Sequence, residues 1–215
     1  MRILAADTST ARISLALSLD GVNGETIEIN QNMESPSAAR FFVLLDALLK
    51  AADTPPDALD CLAIGAGPGS FTGLRVSFAA FRCLAWARAL PLYPVCSLEA
   101  MAYPYRDLDA SLIIRVNARR GQVYQYARNR GRTLLELALL PCAEANALAR
   151  ALPEPRFLLG GADEGDTEIA RLGDFGPSAA NIAALAARAA GEGAPPKLED
   201  VLPLYLRPSD AEMAL

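Results

Sequence analysis

The sequence predicts an α/β protein built from two similar halves, because one order of predicted elements occurs twice. Three strands come first, then a helix and a further strand, and near residue 111 the same order starts again. A repeated order of elements indicates an internal duplication. Two such halves side by side are typical of the two-domain actin/Hsp70/hexokinase-like class (ASKHA, ribonuclease H-like). We therefore predict an N-terminal half over residues 1–103 and a smaller C-terminal half over residues 104–215.

The first half opens with three predicted strands that form an antiparallel meander. Buried or alternating apolar residues occupy 3–6, 13–19 and 25–30, and polar turns at 7–10 and 20–21 separate them. Alternation with a period of two is the pattern of a half-buried strand, and turn residues between such runs predict hairpins.

A helix over 37–52 follows, since apolar residues recur there at helical spacing. Ser35 or Ser37 is predicted to cap its N-terminus, and Pro55-Pro56 ends it. A strand over 61–66 comes next and runs directly into a turn rich in glycine.

That turn, GPGSFTGLR over 67–75, is the most distinctive segment of the chain. Its glycines permit positive φ and close approach of a neighbouring backbone, and Ser70 or Thr72 can accept from free N–H groups where a helix starts. Such a turn binds an anion or serves only as a tight structural turn, and both interpretations stay open. A Walker phosphate loop is excluded in practice because Leu74-Arg75 replaces its Lys-Ser/Thr pair, and a dinucleotide fingerprint lacks its third glycine.

The helix predicted over 74–90 has two apolar sides. Either the helix is sandwiched inside its own domain, or one side belongs to another protein. Small residues on one side permit close helix approach. We predict a partner interface on this helix and the preceding one, formed by Phe42, Leu45, Leu49, Ala79, Cys83 and Ala87.

The second half repeats the pattern of the first. Its predicted elements are strands over 112–117, 123–127, 134–140 and 157–159 and helices over 144–151 and 181–190.

Charge and composition exclude several classes of function. The net charge of −5 does not attract a phosphate backbone, so autonomous binding of nucleic acid is not expected. One local exception is a group of arginines that forms either a solvated hairpin face or a contact patch for RNA or a partner, namely Arg115, Arg119, Arg120, Arg128, Arg130 and Arg132.

The chain contains no histidine, which excludes Ser-His-Asp and Cys-His nucleophiles and histidine-ligated metals. Its four cysteines lack C-x-x-C spacing, so reduced structural thiols are expected rather than a metal site. No apolar run approaches the roughly 18 residues that span a bilayer, and the chain enters a strand at once. We expect a cytoplasmic protein without membrane contact.

Five segments in order along nearly the whole chain resemble the TsaB family, also called YeaZ: ILAADTST over 3–10, GPGSFTGLR over 67–75, SLE over 97–99, ARRGQVY over 118–124 and PLYLR over 203–207. The resemblance implies a role in making N6-threonylcarbamoyladenosine at position 37 of tRNAs that read codons starting with A. In that family's pathway a first enzyme makes threonylcarbamoyl-adenylate, and the catalytic paralogue TsaD transfers the group to tRNA with help from the ATPase TsaE.

The resemblance also implies that this chain is the non-catalytic sibling and not a peptidase. TsaD holds its metal with two histidines on its first helix, whereas Ser37-Ala38 stands at the position where relatives often carry His-Ser, so no metal and no cofactor are expected. The implied partners are a TsaD-like paralogue and a TsaE-like ATPase. Pairing with a second copy is left open, and tRNA is reached only through the complex.

Phosphate-binding members of this fold usually place a glycine in the first turn, which is absent here, although hydroxyls there could still contact a phosphate. The candidate nucleotide or phosphate cleft comprises Asp7, Thr8, Ser9, Thr10, Gly67 and Gly69. A competing hypothesis gives these segments only a shaping role, and a β-branched residue at Gly69 would then be strained if φ is positive there.

The alternative function, from another class, is a small ASKHA-fold phosphotransferase resembling acetate kinase or a sugar kinase. Such an enzyme needs a second glycine-rich phosphate loop and an acid to orient the nucleophile, and the segment 117–121 offers no such acid beside it.

Overall fold

A computed structural model describes residues 1–19, 24–33, 37–161, 168–173 and 175–207. The predicted turn at 20–21 and the predicted cap Ser35 lie outside these residues. The strands are β1 (Ile3–Asp7), β2 (Arg12–Ser18), β3 (Thr26–Asn32), β4 (Cys61–Gly67), β5 (Leu92–Cys96), β6 (Ser111–Asn117), β7 (Gln122–Asn129), β8 (Arg132–Pro141), β9 (Arg156–Leu159) and β10 (Ala170–Gly173). The helices are α1 (Ala38–Ala51), α2 (Phe71–Arg88), α3 (Ser97–Ala102), α4 (Cys142–Arg150) and α5 (Ala179–Glu192).

The predicted duplication is confirmed by the topology of two five-stranded sheets. The first sheet has the order β3-β2-β1-β4-β5, and the second has the order β8-β7-β6-β9-β10 when it is followed from the corresponding edge. In each sheet three antiparallel strands are followed by two strands parallel to the first of them. The protein therefore has the mixed α/β fold of the ASKHA class.

In the first sheet, alternate residues of each strand face two separate cores. Leu4 and Ala6 of β1 pack with α1 and α2 on one face, while Ile3 and Ala5 pack with α5 on the other. Because side chains alternate between the faces of a strand, β1 is apolar throughout and is buried on both sides. The largest side chains of the α1 and α2 core include Phe41 and Phe81, whose rings meet edge to face.

The division of the chain differs from the predicted one at its second boundary. One compact unit comprises Met1–Ala100 and Pro177–Leu204, and the other comprises Met101–Gly176 and the chain from Tyr205. The predicted boundary places α5 in the C-terminal half, whereas the alanines of this helix cover the other face of the first sheet. Periodicity predicts the apolar stripe of α5 but does not say which sheet the stripe covers.

In the second unit, α4 packs on β7 and β8. Ile113 of β6 and Ala127 of β7 form part of the core that lies beneath this helix, together with Ala149 of α4. Among the described residues of the whole chain, no helix combines the length and the apolar character that crossing a bilayer requires.

A carboxylate from the first sheet holds the start of α5. Glu28 Oε1 accepts from Ser178 Oγ at 2.7 Å and from the Ala180 N–H at 3.2 Å, and the Ala179 N–H donates to Ser14 Oγ at 2.8 Å. Burial opposes the charged form of Glu28, but the donated hydrogen bonds outweigh it, and the pKa of Glu28 lies below its usual value. An anion at a helix N-terminus also interacts favourably with the helix dipole.

Replacing Glu28 by glutamine is expected to lower the free energy of unfolding by about 1 kcal/mol at pH 7, since the group is half-exposed and its charge stabilises α5 only in part. A depressed carboxyl pKa stabilises the fold above the unfolded pKa, and this contribution disappears as pH falls through the folded pKa. The difference between wild type and Glu28→Gln should therefore shrink below about pH 4.5, the usual value for this group. Urea unfolding across pH 3–7 measures this difference in the free energy of unfolding, and Glu25→Gln, at an exposed position, is the control. A pH-independent difference contradicts the assignment.

Candidate functional site

A cluster of buried polar side chains lies where β1 ends. We call Asp7, Thr8, Ser9, Ser77 and Ser97 the polar cluster, and all five are buried. Asp7 Oδ1 accepts from the Ser9 N–H at 2.8 Å and from Ser9 Oγ at 2.7 Å, and Asp7 Oδ2 accepts from Ser97 Oγ at 2.5 Å. Burial raises the pKa of Asp7, although the hydrogen bonds from Ser97 and Ser9 lower it in part. The carboxyl group of Asp7 is thus surrounded by donors of its own domain.

The same cluster attaches the turn that follows β1, residues 8–11 (the β1 turn), to the first turns of α2. Thr8 Oγ1 donates to the Gly73 carbonyl at 2.7 Å and lies 2.7 Å from Ser77 Oγ. The Ser70 N–H donates to the Ser9 carbonyl, and the Gly67 N–H donates to Ser97 Oγ. Mostly buried hydrogen bonds therefore join the β1 turn to α2, and β1 and β4 to the start of α3.

Three glycines are required because the β1 turn packs directly on the backbone of 65–73. A Cβ atom at Gly69 would lie 2.0 Å from the Ser9 carbonyl oxygen, and one at Gly73 would lie 2.0 Å from the Thr8 carbonyl oxygen. At Gly65 it would lie 1.9 Å from Asp7 Oδ2. The condition of positive φ is not met at Gly69, because the left-handed residue in the turn is Gly67, with φ of 92°. Gly69 is needed for close approach instead.

The two segments of the candidate cleft are therefore in contact, but their side chains are occupied. Asp7, Thr8 and Ser9 are each at most 1% exposed and bond to one another or to α2 and Ser97, while Thr10 is half-buried. Ser70 Oγ accepts from the Gly73 N–H at 3.2 Å and caps α2, which therefore starts at Phe71 and not at the predicted Leu74. This geometry favours the shaping role over contact with a phosphate.

A late segment of the chain also supports the glycine turn, and the sequence did not predict it. The Leu204 N–H donates to the Ala66 carbonyl at 2.7 Å, immediately before the turn. Arg82 Nη1 of α2 donates to the Val201 carbonyl at 2.8 Å, and Val201 is fully buried. The PLYLR segment contains Leu204, but no feature of its sequence predicts the hydrogen bond to Ala66.

The second candidate site is an exposed surface on α1 and α2, which we call the helical face: Phe42, Leu45, Leu49, Ala79, Cys83 and Ala87. Phe42 is 53% exposed, and Ala79, Cys83 and Ala87 are exposed along one side of α2. Leu45 and Leu49 are half-buried and pack against the core. The other apolar side of α2 is buried in its own domain, through Leu74, Phe78, Phe81 and Ala85.

Two exposed apolar residues at these helices were not among the predicted ones. Val43 is 56% exposed, and Trp86 is 79% exposed and lies between Cys83 and Ala87 on α2. The sequence already places Trp86 on the same side of α2 as Ala79 and Cys83, because residues of a helix are 100° apart. Val43 lies about 140° around α1 from the side carrying Leu45 and Leu49, so it does not extend the helical face, whereas Trp86 adds an exposed ring to it, as is usual for an association surface.

The structure separates the arginines that are close in the sequence. Arg119 and Arg120 lie in the turn between β6 and β7, whereas Arg130 and Arg132 lie at the other end of β7, roughly 25 Å away at about 3.3 Å per residue. Arg115 is 4% exposed, and its guanidinium donates to Gln125 Oε1 and Asn146 Oδ1, each at 2.6 Å. One continuous patch of all six arginines is therefore not formed.

The cysteines are free thiols, of which Cys83 is exposed and Cys61 is buried. Burial raises the pKa of Cys61 to about 11. Within the described part of the chain, no three carboxylate or thiol side chains are arranged to hold a metal ion.

Comparison with known proteins places this fold in a family. The family model of TsaD, tRNA N6-adenosine threonylcarbamoyltransferase, matches residues 33–159. A TsaB protein of Haemophilus influenzae, named for tRNA threonylcarbamoyladenosine biosynthesis, is 34% identical over 126 residues, which is 58% of this chain and 52% of that protein. An uncharacterised protein of Mycobacterium tuberculosis is 32% identical over 215 residues, covering 98% of this chain and 93% of that one. YeaZ from Pseudomonas aeruginosa has the same fold, with a TM-score of 0.79, 27% identity and coverage of 95% and 99%.

The fold and the family model define the class of this protein: it is an ASKHA-type α/β protein, and more than half of its chain, residues 33–159, matches the TsaD family model. Against the TsaB proteins of Haemophilus influenzae and Bacillus subtilis, the match spans about half of the relative's length. The chain belongs to the TsaB/YeaZ family.

Proposed function

We propose that this chain is a non-catalytic subunit required for threonylcarbamoylation of adenosine in tRNAs that read A-starting codons. In this proposal it binds a TsaD-like catalytic paralogue and acts with a TsaE-like ATPase in the cytoplasm. The names of its TsaB relatives support the pathway. The assignment of roles within the complex is our inference from the site.

The observation that carries the proposal is the helical face. A stripe of small side chains on α2 lets a partner helix approach closely, and the exposed rings of Trp86 on α2 and Phe42 on α1 offer aromatic surface for a partner to bury. The opposite side of α2 already fills the domain core. An apolar surface that its own domain leaves exposed is what an obligate subunit needs.

The polar cluster supports the absence of catalysis in this chain. A catalytic carboxylate must reach substrate, whereas Asp7 is 1% exposed and accepts three hydrogen bonds from Ser9 and Ser97. The glycine turn that follows β4 packs against Ser9 and Thr8, and its capping hydroxyl serves α2. These groups stabilise the domain that presents the helical face.

Reconstitution tests this proposal. The isolated chain should show neither threonylcarbamoyl transfer to tRNA nor peptidase activity nor substantial ATP hydrolysis, while its addition to the catalytic paralogue and the ATPase should raise transfer at least 10-fold. The measurement is incorporation of labelled threonine into a tRNA transcript. Transfer that is equally fast without the chain contradicts the subunit role.

The purified chain alone also tests the alternative function, that of a small phosphotransferase. A small phosphotransferase turns over ATP by itself, with magnesium and a small acceptor, and such turnover should survive purification to homogeneity. Stoichiometric, metal-dependent turnover by the isolated chain would favour the phosphotransferase. None is expected, because Asp7 is enclosed by Ser9 and Ser97.

A further inference from the structure

The turn between β6 and β7 has an unusual backbone. Arg119, Arg120 and Gly121 all have positive φ, at 63°, 53° and 69°. Glycine adopts this region freely, but an arginine is disfavoured there because of its Cβ atom. Two consecutive arginines in left-handed conformation therefore occupy positions that glycine or asparagine would fill with less strain.

Hydrogen bonds hold this turn in one conformation. The Arg119 N–H donates to Asn117 Oδ1 at 2.6 Å, and the Gln122 N–H donates to the Arg119 carbonyl at 3.0 Å. The Cys142 N–H donates to the Gly121 carbonyl at 2.9 Å. The turn is thus attached to the end of β6, to the start of β7 and to the start of α4, which favours one fixed presentation of its two arginines.

The tip of the turn is basic and carries no apolar side chain. Arg119, Arg120 and Gly121 are exposed, whereas Ala118 is buried beneath them. A third arginine lies at the base, where Arg207 Nη1 donates to the Ala118 carbonyl at 2.7 Å. A protein interface is organised around a buried apolar centre, which this tip lacks. Exposed guanidinium groups suit the oxygens of a phosphate backbone.

We propose that this turn contacts the phosphate backbone of RNA, with Arg119 and Arg120 as the contacting side chains. The inference rests on the proposed function, in which the assembled complex acts on tRNA. A net charge of −5 disfavours RNA at most of the surface, whereas this turn brings two exposed arginines together. The contact adds to binding by the complex and does not depend on base sequence.

The test compares Arg119→Asn/Arg120→Asn with Arg130→Asn/Arg132→Asn, each as full chains assembled with the catalytic paralogue. Arg130, like Arg119 and Arg120, has a positive φ, at 43°. Because asparagine tolerates left-handed backbone, the turn before β7 and the turn after it both stay formed in these variants. Binding of a fluorescein-labelled, unmodified tRNA transcript is followed by anisotropy between 0.05 and 0.3 M salt. At 0.1 M salt the first variant should bind roughly 10-fold more weakly, with a salt slope smaller by about 1.5, since each lost phosphate contact removes about 0.7 to 0.9. The second variant should match wild type.

Equal binding by both variants and wild type would overturn the proposal. So would a loss of affinity with an unchanged salt slope, because the turn would then act through folding or through a protein contact. A loss of assembly on size-exclusion chromatography, with normal RNA binding by the fraction that assembles, would assign the turn to an acidic protein surface and also overturn it. Failure of the wild-type chain to assemble at all refutes the proposed function instead, and the isolated chain is then titrated with the same transcript.

Discussion

Replacing Ala79 or Ala87 by arginine is expected to abolish pairing of this chain with its catalytic partner while the chain itself stays folded. Both alanines are exposed on α2, so a longer side chain meets no atoms of its own domain. In the proposed complex the same positions lie at a close helix crossing. An unpaired charge buried there costs several kcal/mol, which weakens binding by roughly 100-fold or more.

Size-exclusion chromatography and titration calorimetry of the purified pair measure this effect, and circular dichroism checks the fold. Ala47→Arg is the matched control, because Ala47 is an exposed alanine of α1 that helical geometry places about 170° from the side carrying Leu45 and Leu49. Normal pairing by Ala79→Arg and Ala87→Arg would move the interface away from the helical face. Unfolding of these variants would contradict the exposure of the two alanines.

Replacing Gly73 by alanine is expected to lower the free energy of unfolding by about 3 kcal/mol or more, although the same change stabilises most helices. Gly73 lies in the first turn of α2, and its added Cβ would stand 2.0 Å from the Thr8 carbonyl oxygen. That oxygen belongs to the backbone and cannot rotate away. The β1 turn must separate from α2, and the hydrogen bond from Thr8 Oγ1 to the Gly73 carbonyl is lost with it.

Gly191→Ala is the corresponding control, since Gly191 lies in α5 and nothing would come within 4 Å of its Cβ. This variant should be more stable than wild type by about 0.5 to 1 kcal/mol. Urea unfolding of both variants, followed by far-ultraviolet circular dichroism, gives the comparison. A Gly73→Ala protein as stable as wild type would refute the packing of the β1 turn on α2.

The class of fold and most of its elements follow from local sequence patterns. Alternation in 13–19 and the apolar spacing in 37–52 correspond to β2 and α1, because which residues face a core follows from the period of a strand or a helix. The repeat of three strands, a helix and a strand was enough to predict two related halves. The GPGSFTGLR segment indicated the family, and the apolar residues on two sides of α2 indicated that one side could serve a partner.

The pairing of groups that face each other depends on packing between distant parts of the chain. Periodicity could not show that α5 covers the first sheet, that Gly69 and Gly73 lie against the Ser9 and Thr8 carbonyls, or that the hydroxyls near Asp7 are occupied. It also could not show that Arg119 and Arg130 lie at opposite ends of β7. The physical reason is the same in each case: local pattern specifies which side of an element is apolar, whereas the neighbour that covers it is chosen by packing between residues distant in the chain.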